Sequence, residues 1–207
     1  MFNNNYLNSL KKMEYEANSF YSKRDPISSS FNFDISSSTY RVFKNFKIAP
    51  SLIFKNWAFN LIKNNDFLFD ILNIDSENKF NIFHEKYTKN LAIYWKEKTG
   101  SELHLAYNYK IFDLFLKSLI NHDLNNNKIN EILILYCNVP LDSVTFKTLD
   151  LITNSKFKLK NKTTGYIKNK ETYYKIQFLI KNICDKVNLP KIYFEYYSQK
   201  QNKINNS

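Results

Sequence analysis

Two side chains of this chain have the types and the separation for covalent chemistry on a sugar. Lys110 stands in AYNYKIFDLFLKSL, and Asp142 stands thirty-two positions later in CNVPLDSVTF. A lysine amine attacks a carbon only after losing its proton, which burial among apolar groups or nearby cations favours. Lys110 follows Tyr107 and Tyr109 and precedes Ile111 and Phe112, so its sequence neighbours are apolar or aromatic. Breaking a bond between a base and its sugar builds positive charge on the ring, and a fixed carboxylate beside that ring stabilises it. Asp142 follows a Val-Pro-Leu step and precedes a run with helical character, where backbone amides would hold it ionised and oriented. The plainer alternatives are that Asp142 is an ordinary helix N-cap and that Lys110 is one solvated lysine among many.

The elements that must position this pair read as helices. Residues 105–121 put Ile111, Leu114, Phe115, Ser118 and Leu119 on one face, while Lys110 and Lys117, seven apart, share a second face. Residues 80–100 carry Ile82, Phe83, Tyr87, Leu91, Ile93, Tyr94 and Trp95 at helical spacing and end in Gly100, a fitting C-cap. Pro140 suits a first turn, and Asp142 and Ser143 suit the start of a helix over 144–153. Short helices are expected at 7–21, 66–72 and 129–136, a helical run from Thr39 through Val42, Phe43 and Phe46 and on past Pro50, and a last helix at 171–187. The basic stretch SKFKLKNKTTGYIKNK reads as a loop or a short hairpin, and residues 192–197 read as extended. The expected architecture is mainly α with little or no sheet. It comprises an amino-terminal arm or short helix with loop (1–38), one globular helical domain (39–198) and a disordered tail (199–207).

Composition narrows the partners. The chain has 207 residues, 43% of them hydrophobic and 17% aromatic, enough to bury a core. Its formal charge of +11 makes a polyanion the natural partner, because each lysine set against a phosphate releases a condensed counterion. A base-composition bias that enriches Asn, Lys, Ile and Phe together is the competing explanation. Only Gly100 and Gly165 are glycines, so no glycine-rich phosphate loop exists. Cys137 and Cys184 form no Cys-x-x-Cys pair, and His84, His104 and His122 have no ligand spacing, so neither a metal nor a cofactor is expected. No stretch of about eighteen apolar residues occurs, and a cytoplasmic protein without membrane contact is expected.

The pattern AYNYKIFDLF followed by VPLDSVTFKTL resembles the helix-hairpin-helix DNA glycosylases, in a spacing closest to the archaeal 8-oxoguanine glycosylase branch. The likeness covers roughly residues 103–151. It implies that Lys110 matches the hairpin lysine and Asp142 the catalytic acid. It further implies a helical fold, double-stranded DNA as partner, and removal of a damaged or modified base, with AP-lyase activity through a lysine Schiff base. The family hairpin usually carries two glycines where this chain has Ala106 and Asn108. Under this resemblance DNA would be held near Ala106, Tyr107, Asn108 and Tyr109. Lys117, Lys147, Lys156, Lys158, Lys160 and Lys162 would touch phosphate, and Trp57, Trp95 and Tyr107 are available to stack on an extruded base, although both tryptophans fit a core stripe better. The implied setting is DNA repair or defence against modified phage DNA. The second reading is a basic helical protein that binds nucleic acid without chemistry.

Overall fold

The computed structural model describes residues 2–26, 33, 35, 37–43 and 46–204. Ten α-helices run through them: α1 (Asn4–Lys12), α2 (Glu14–Tyr21), α3 (Pro50–Ile62), α4 (Asn65–Leu72), α5 (Glu77–Thr99), α6 (Leu105–Ile120), α7 (Asn127–Tyr136), α8 (Ser143–Ile152), α9 (Lys170–Asp185) and α10 (Tyr193–Ile204). The only strands among the described residues are β1 (Asp25–Pro26) and β2 (His122–Asp123), paired in parallel. The protein is therefore mainly α, as its apolar spacing and glycine scarcity imply.

The abundant asparagines have a structural use. Side chains of Asn3, Asn64, Asn126 and Asn169 each accept a first-turn amide, capping α1, α4, α7 and α9. An Asn cap satisfies an amide that the helix itself leaves unpaired. Gly100 closes α5 in the left-handed region (φ 71°), where any other residue would be strained.

Helix α6 is the axis of the molecule. It packs against α5 and α7, and its aromatic side joins Phe112 and Phe115 to Phe54, Trp57, Phe67 and Phe83 in edge, tilted and stacked contacts. Most of its side chains are buried; beyond Leu105 the partly exposed ones are Tyr107, Lys110, Leu114 and Lys117, one stripe at helical spacing. A helix buried on every other side is held by that burial, and its one open stripe is free for other work. Trp57 and Trp95 are core side chains, 3% and 0% exposed, and so are not placed to stack on a ligand.

Several expectations need correction. The helix expected at 7–21 is two, broken at Met13, and both pack into the fold, α1 on α8 and α2 on α10. Much of the Ser- and Asn-rich loop expected at 22–38 lies outside the described residues. Thr39 belongs to a short 3-10 turn and α3 begins only at Pro50, although Phe43 and Phe46 do pack on Trp95. Ile82 and Ile93 of α5 face outward. The segment read as extended is the start of α10, which buries Tyr193, Phe194, Glu195 and Tyr197 and continues as helix through Ile204. Residues 199–204 of the expected tail are therefore ordered helix.

Candidate active site

Lys110 and Asp142 line one cavity of about 440 Å³, within the range of about 300–1,000 Å³ typical of small-ligand sites. One wall is the open stripe of α6, Lys110, Leu114 and Lys117. Asp142 forms another at the start of α8. The remainder comes from Phe20 of α2, from Thr39, and from Glu195, Tyr196, Gln199, Lys200 and Lys203 of α10.

Asp142 is fixed from both sides of the chain. Its Oδ1 accepts the amides of Val144 (2.9 Å) and Thr145 (3.0 Å), an N-cap that leaves Oδ2 unengaged. The loop before it is tied at each peptide. Gln177 of α9 accepts the Val139 amide (3.0 Å) and donates to the Val139 carbonyl (2.7 Å). Thr145 donates to the Pro140 carbonyl, and Thr164 donates to the Leu141 carbonyl. Val139 and Leu141 are buried beneath. The carboxylate therefore holds its direction without a side-chain partner.

Lys110 is partly buried, and its ammonium makes no hydrogen bond or ion pair with any described residue. Burial holds the amine below the usual lysine value, against the opposing pull of the Asp142 charge. Lys110 sits in the second turn of α6, beyond the first turn where the helix dipole acts. Desolvation alone lowers it.

The two remaining charged groups on the inner wall are paired. Lys117 Nζ lies 2.7 Å from Glu195 Oε1, with side chains 21% and 5% exposed, so the lysine is the more open member of the pair. At the mouth, Lys200 meets Glu16 (2.9 Å) and lies over the Tyr196 ring, which contacts Phe20 at 5.4 Å. Lys110 and Lys203 add charge without a recorded acid partner, so the cavity carries net positive charge.

The hairpin expected at 106–110 is helix instead. The amides of Tyr107 and Asn108 bond to the His104 carbonyl, and His104 caps α6 through its ring nitrogen. Ala106, Asn108 and Tyr109 are buried, Asn108 donating to the Thr88 carbonyl and Tyr109 to Glu85, and Tyr107 packs on Phe43 and His104. Without glycines the backbone follows helical torsions and spends its amides inside the helix, so Ala106, Asn108 and Tyr109 are buried side chains of α6 and Tyr107 alone keeps an open edge. Of the lysines expected at phosphate, Lys117 lines the cavity. Lys147, Lys156, Lys158 and Lys160 are exposed and Lys162 is partly buried over Tyr166, none of them on the cavity wall. Their loop is neither free nor a hairpin. Buried Asp150 accepts the Leu159 amide and the Ser155 hydroxyl, and Asn154, Ser155 and Lys158 adopt left-handed torsions.

The residues missed by sequence reasoning are Phe20, Glu195, Tyr196, Gln199, Lys200 and Lys203. A usable signal existed in Tyr193, Phe194 and Tyr197, which recur at helical spacing with Glu195 between them and Gln199 two residues beyond.

Among the described residues, no group of three or more His, Cys, Asp or Glu side chains is placed to hold a metal ion. Cys137 and Cys184 are buried free thiols. No described helix is long and apolar enough to cross a membrane. Comparisons with models of known families, with curated proteins and with solved structures return no match. The class is thus defined by fold and site alone: a basic helical protein whose central helix presents an unpaired, partly buried amine beside an oriented carboxylate.

Proposed function

We propose that the protein is a DNA glycosylase with AP-lyase activity, acting on duplex DNA inside the cell and removing a damaged or modified base. The observation that supports it best is that Lys110 and Asp142, thirty-two residues apart, share one cavity, the amine without a partner and the carboxylate with an oxygen to spare. An extruded nucleotide would enter with its sugar between them. The neutral Lys110 amine forms a bond to C1′ as the C1′–N bond breaks, its electron pair leaving with the base. Asp142 stabilises the developing positive sugar and passes the proton lost by Nζ toward the departing base. Ring opening at O4′ then gives a protonated Schiff base. Loss of a C2′ proton expels the 3′ phosphate, and water hydrolyses the imine to return Lys110.

The test is borohydride trapping. Purified protein incubated with duplexes carrying an abasic site or 8-oxoguanine forms a covalent adduct on reduction, and Lys110→Gln forms none while still binding duplex. Absence of any adduct from the wild type removes the reading.

The second reading, binding without catalysis, is favoured by one observation: residues 106–110 are helix and cannot grip phosphate as a glycine hairpin does. A binder of this charge retains salt-dependent DNA affinity and shows no trapping before or after the Lys110 change.

A further inference from the structure

We propose that Lys117, held by Glu195, is the group that stabilises the departing base, and that the substrates are lactam bases, which leave as anions, rather than alkylated bases that already carry positive charge. This rests on the glycosylase reading above. Lys117 lies seven residues beyond Lys110 on the same stripe of α6, about 10 Å along the axis at 1.5 Å per residue. A sugar and its base span such a gap when two long side chains lean inward, so an amine at C1′ leaves Lys117 facing the far edge of the base.

The pair has the features of an oriented donor. Glu195 is buried on α10, and besides Lys117 it accepts the Tyr21 hydroxyl (3.4 Å), itself fully buried. A buried ion pair gains little stability over an apolar pair of the same size, because desolvation offsets attraction. Here the more open member is the lysine, whose side chain lines the reactive cavity. A fixed cation in a partly dry cavity stabilises negative charge that develops during reaction. When guanine-, hypoxanthine- or uracil-type bases leave, the electron pair spreads onto a carbonyl oxygen, which Lys117 can meet. A base methylated on a ring nitrogen leaves neutral, so a fixed ammonium at its edge gains it nothing, and it enters cationic beside Lys117 and Lys203.

The experiment measures base release and abasic-site trapping side by side with the full chain. Duplexes carry 8-oxoguanine, hypoxanthine or uracil in one set and 7-methylguanine or 3-methyladenine in the other. The expected result is release from the first set only. The double variant Lys117→Met/Glu195→Gln, which strands no charge, is expected to lower the ratio of base release to abasic-site trapping by about 10- to 100-fold, the worth of one charged hydrogen bond. Lys117→Arg is expected to keep most of that ratio. Thermal unfolding of the double variant checks that it is folded, and a purely structural role would lower release and trapping together, overturning the proposal. So would release of the methylated set, an unchanged ratio, or trapping by the wild type with no base released from either set. A wild type that traps no abasic site overturns the glycosylase reading itself.

Discussion

Helix α6 carries two polar clusters, and they are built on opposite principles. Toward α5 and α9, Asp113 is fully buried. It accepts the Tyr173 hydroxyl at 2.7 and 2.9 Å and lies 3.0 Å from His84 Nε2. Burial raises the Asp113 carboxyl above its ordinary value, with His84 and Tyr173 opposing, and raises the Tyr173 phenol as well. His, Asp and Tyr in contact look like machinery, yet the three are closed off by the rings of Tyr109, Phe112 and Tyr174 and line no cavity described above. Around the helix, Lys110 and Asp142 have open space between them and one free polar atom each. Asp113 and Tyr173 satisfy one another, and although His84 Nδ1 has no partner it is sealed in the core, whereas a polar group left unsatisfied beside a cavity is available to a substrate.

The largest effect that separates the clusters is on activity. Lys110→Gln is expected to reduce borohydride trapping by about 10⁴-fold or more, since the other amines of the cavity are ion-paired, Lys117 with Glu195 and Lys200 with Glu16, or exposed, Lys203. It breaks no described hydrogen bond, so the fold should stand; a comparable loss of thermal stability would place Lys110 with the structural cluster instead. Next comes the opposite pattern. Asp113→Ala strands Tyr173 and His84 in the core and is expected to destabilise the protein by about 3 kcal/mol, read as a lower urea midpoint. The surviving folded fraction should trap abasic sites at the wild-type rate. Slower trapping per folded molecule would show that the buried cluster takes part in the chemistry.

Asp142 joins the two roles and can be split. Asn caps a helix as well as Asp does, so Asp142→Asn keeps the amide contacts to Val144 and Thr145 while removing the charge. Trapping is expected to slow by about 100-fold with stability nearly unchanged. If stability and rate fall together, the carboxylate is only a cap.

How far the sequence revealed this contrast depends on which forces set each element. The shared face of Lys110 and Lys117 was legible because helix periodicity is local, although Leu114, expected on the apolar face, lies between them on the cavity wall, and the Pro140–Asp142–Ser143 signal was legible because capping chemistry is local. The tertiary partners were not. Gln177, which ties down the loop before Asp142, lies on α9, and nothing in its own segment marks it. Glu195 was hidden for a different reason. Its segment is rich in aromatic residues, which favour strands in isolation, and burial of Tyr193, Phe194 and Tyr197 against the rest of the molecule decides for helix. The missing hairpin follows the same logic in reverse. Family spacing suggested a turn, but Ala106 and Asn108 lack glycine's torsional freedom, and the burial of Ala106 and Tyr109 draws the segment into α6.

The smallest effect is a pH dependence, and its sign follows from which state holds the proton. Burial lowers the Lys110 value in the folded protein relative to the unfolded chain. Between those two values the unfolded chain binds the extra proton, so wild-type stability rises with pH across that interval. Below the folded value both states are charged and the full cost of burying the ammonium is present; above the unfolded value it is gone. Lys110→Gln has no such proton, so its urea midpoint, compared with wild type, should be higher below the interval and lose that advantage as pH rises through it. Over the same rise the wild type should trap abasic sites faster, because the neutral amine is the attacking form. A stability difference that grows with pH, or a trapping rate that falls as the amine deprotonates, would mean that Lys110 is stabilised as a cation in the cavity and is a phosphate contact, not a nucleophile.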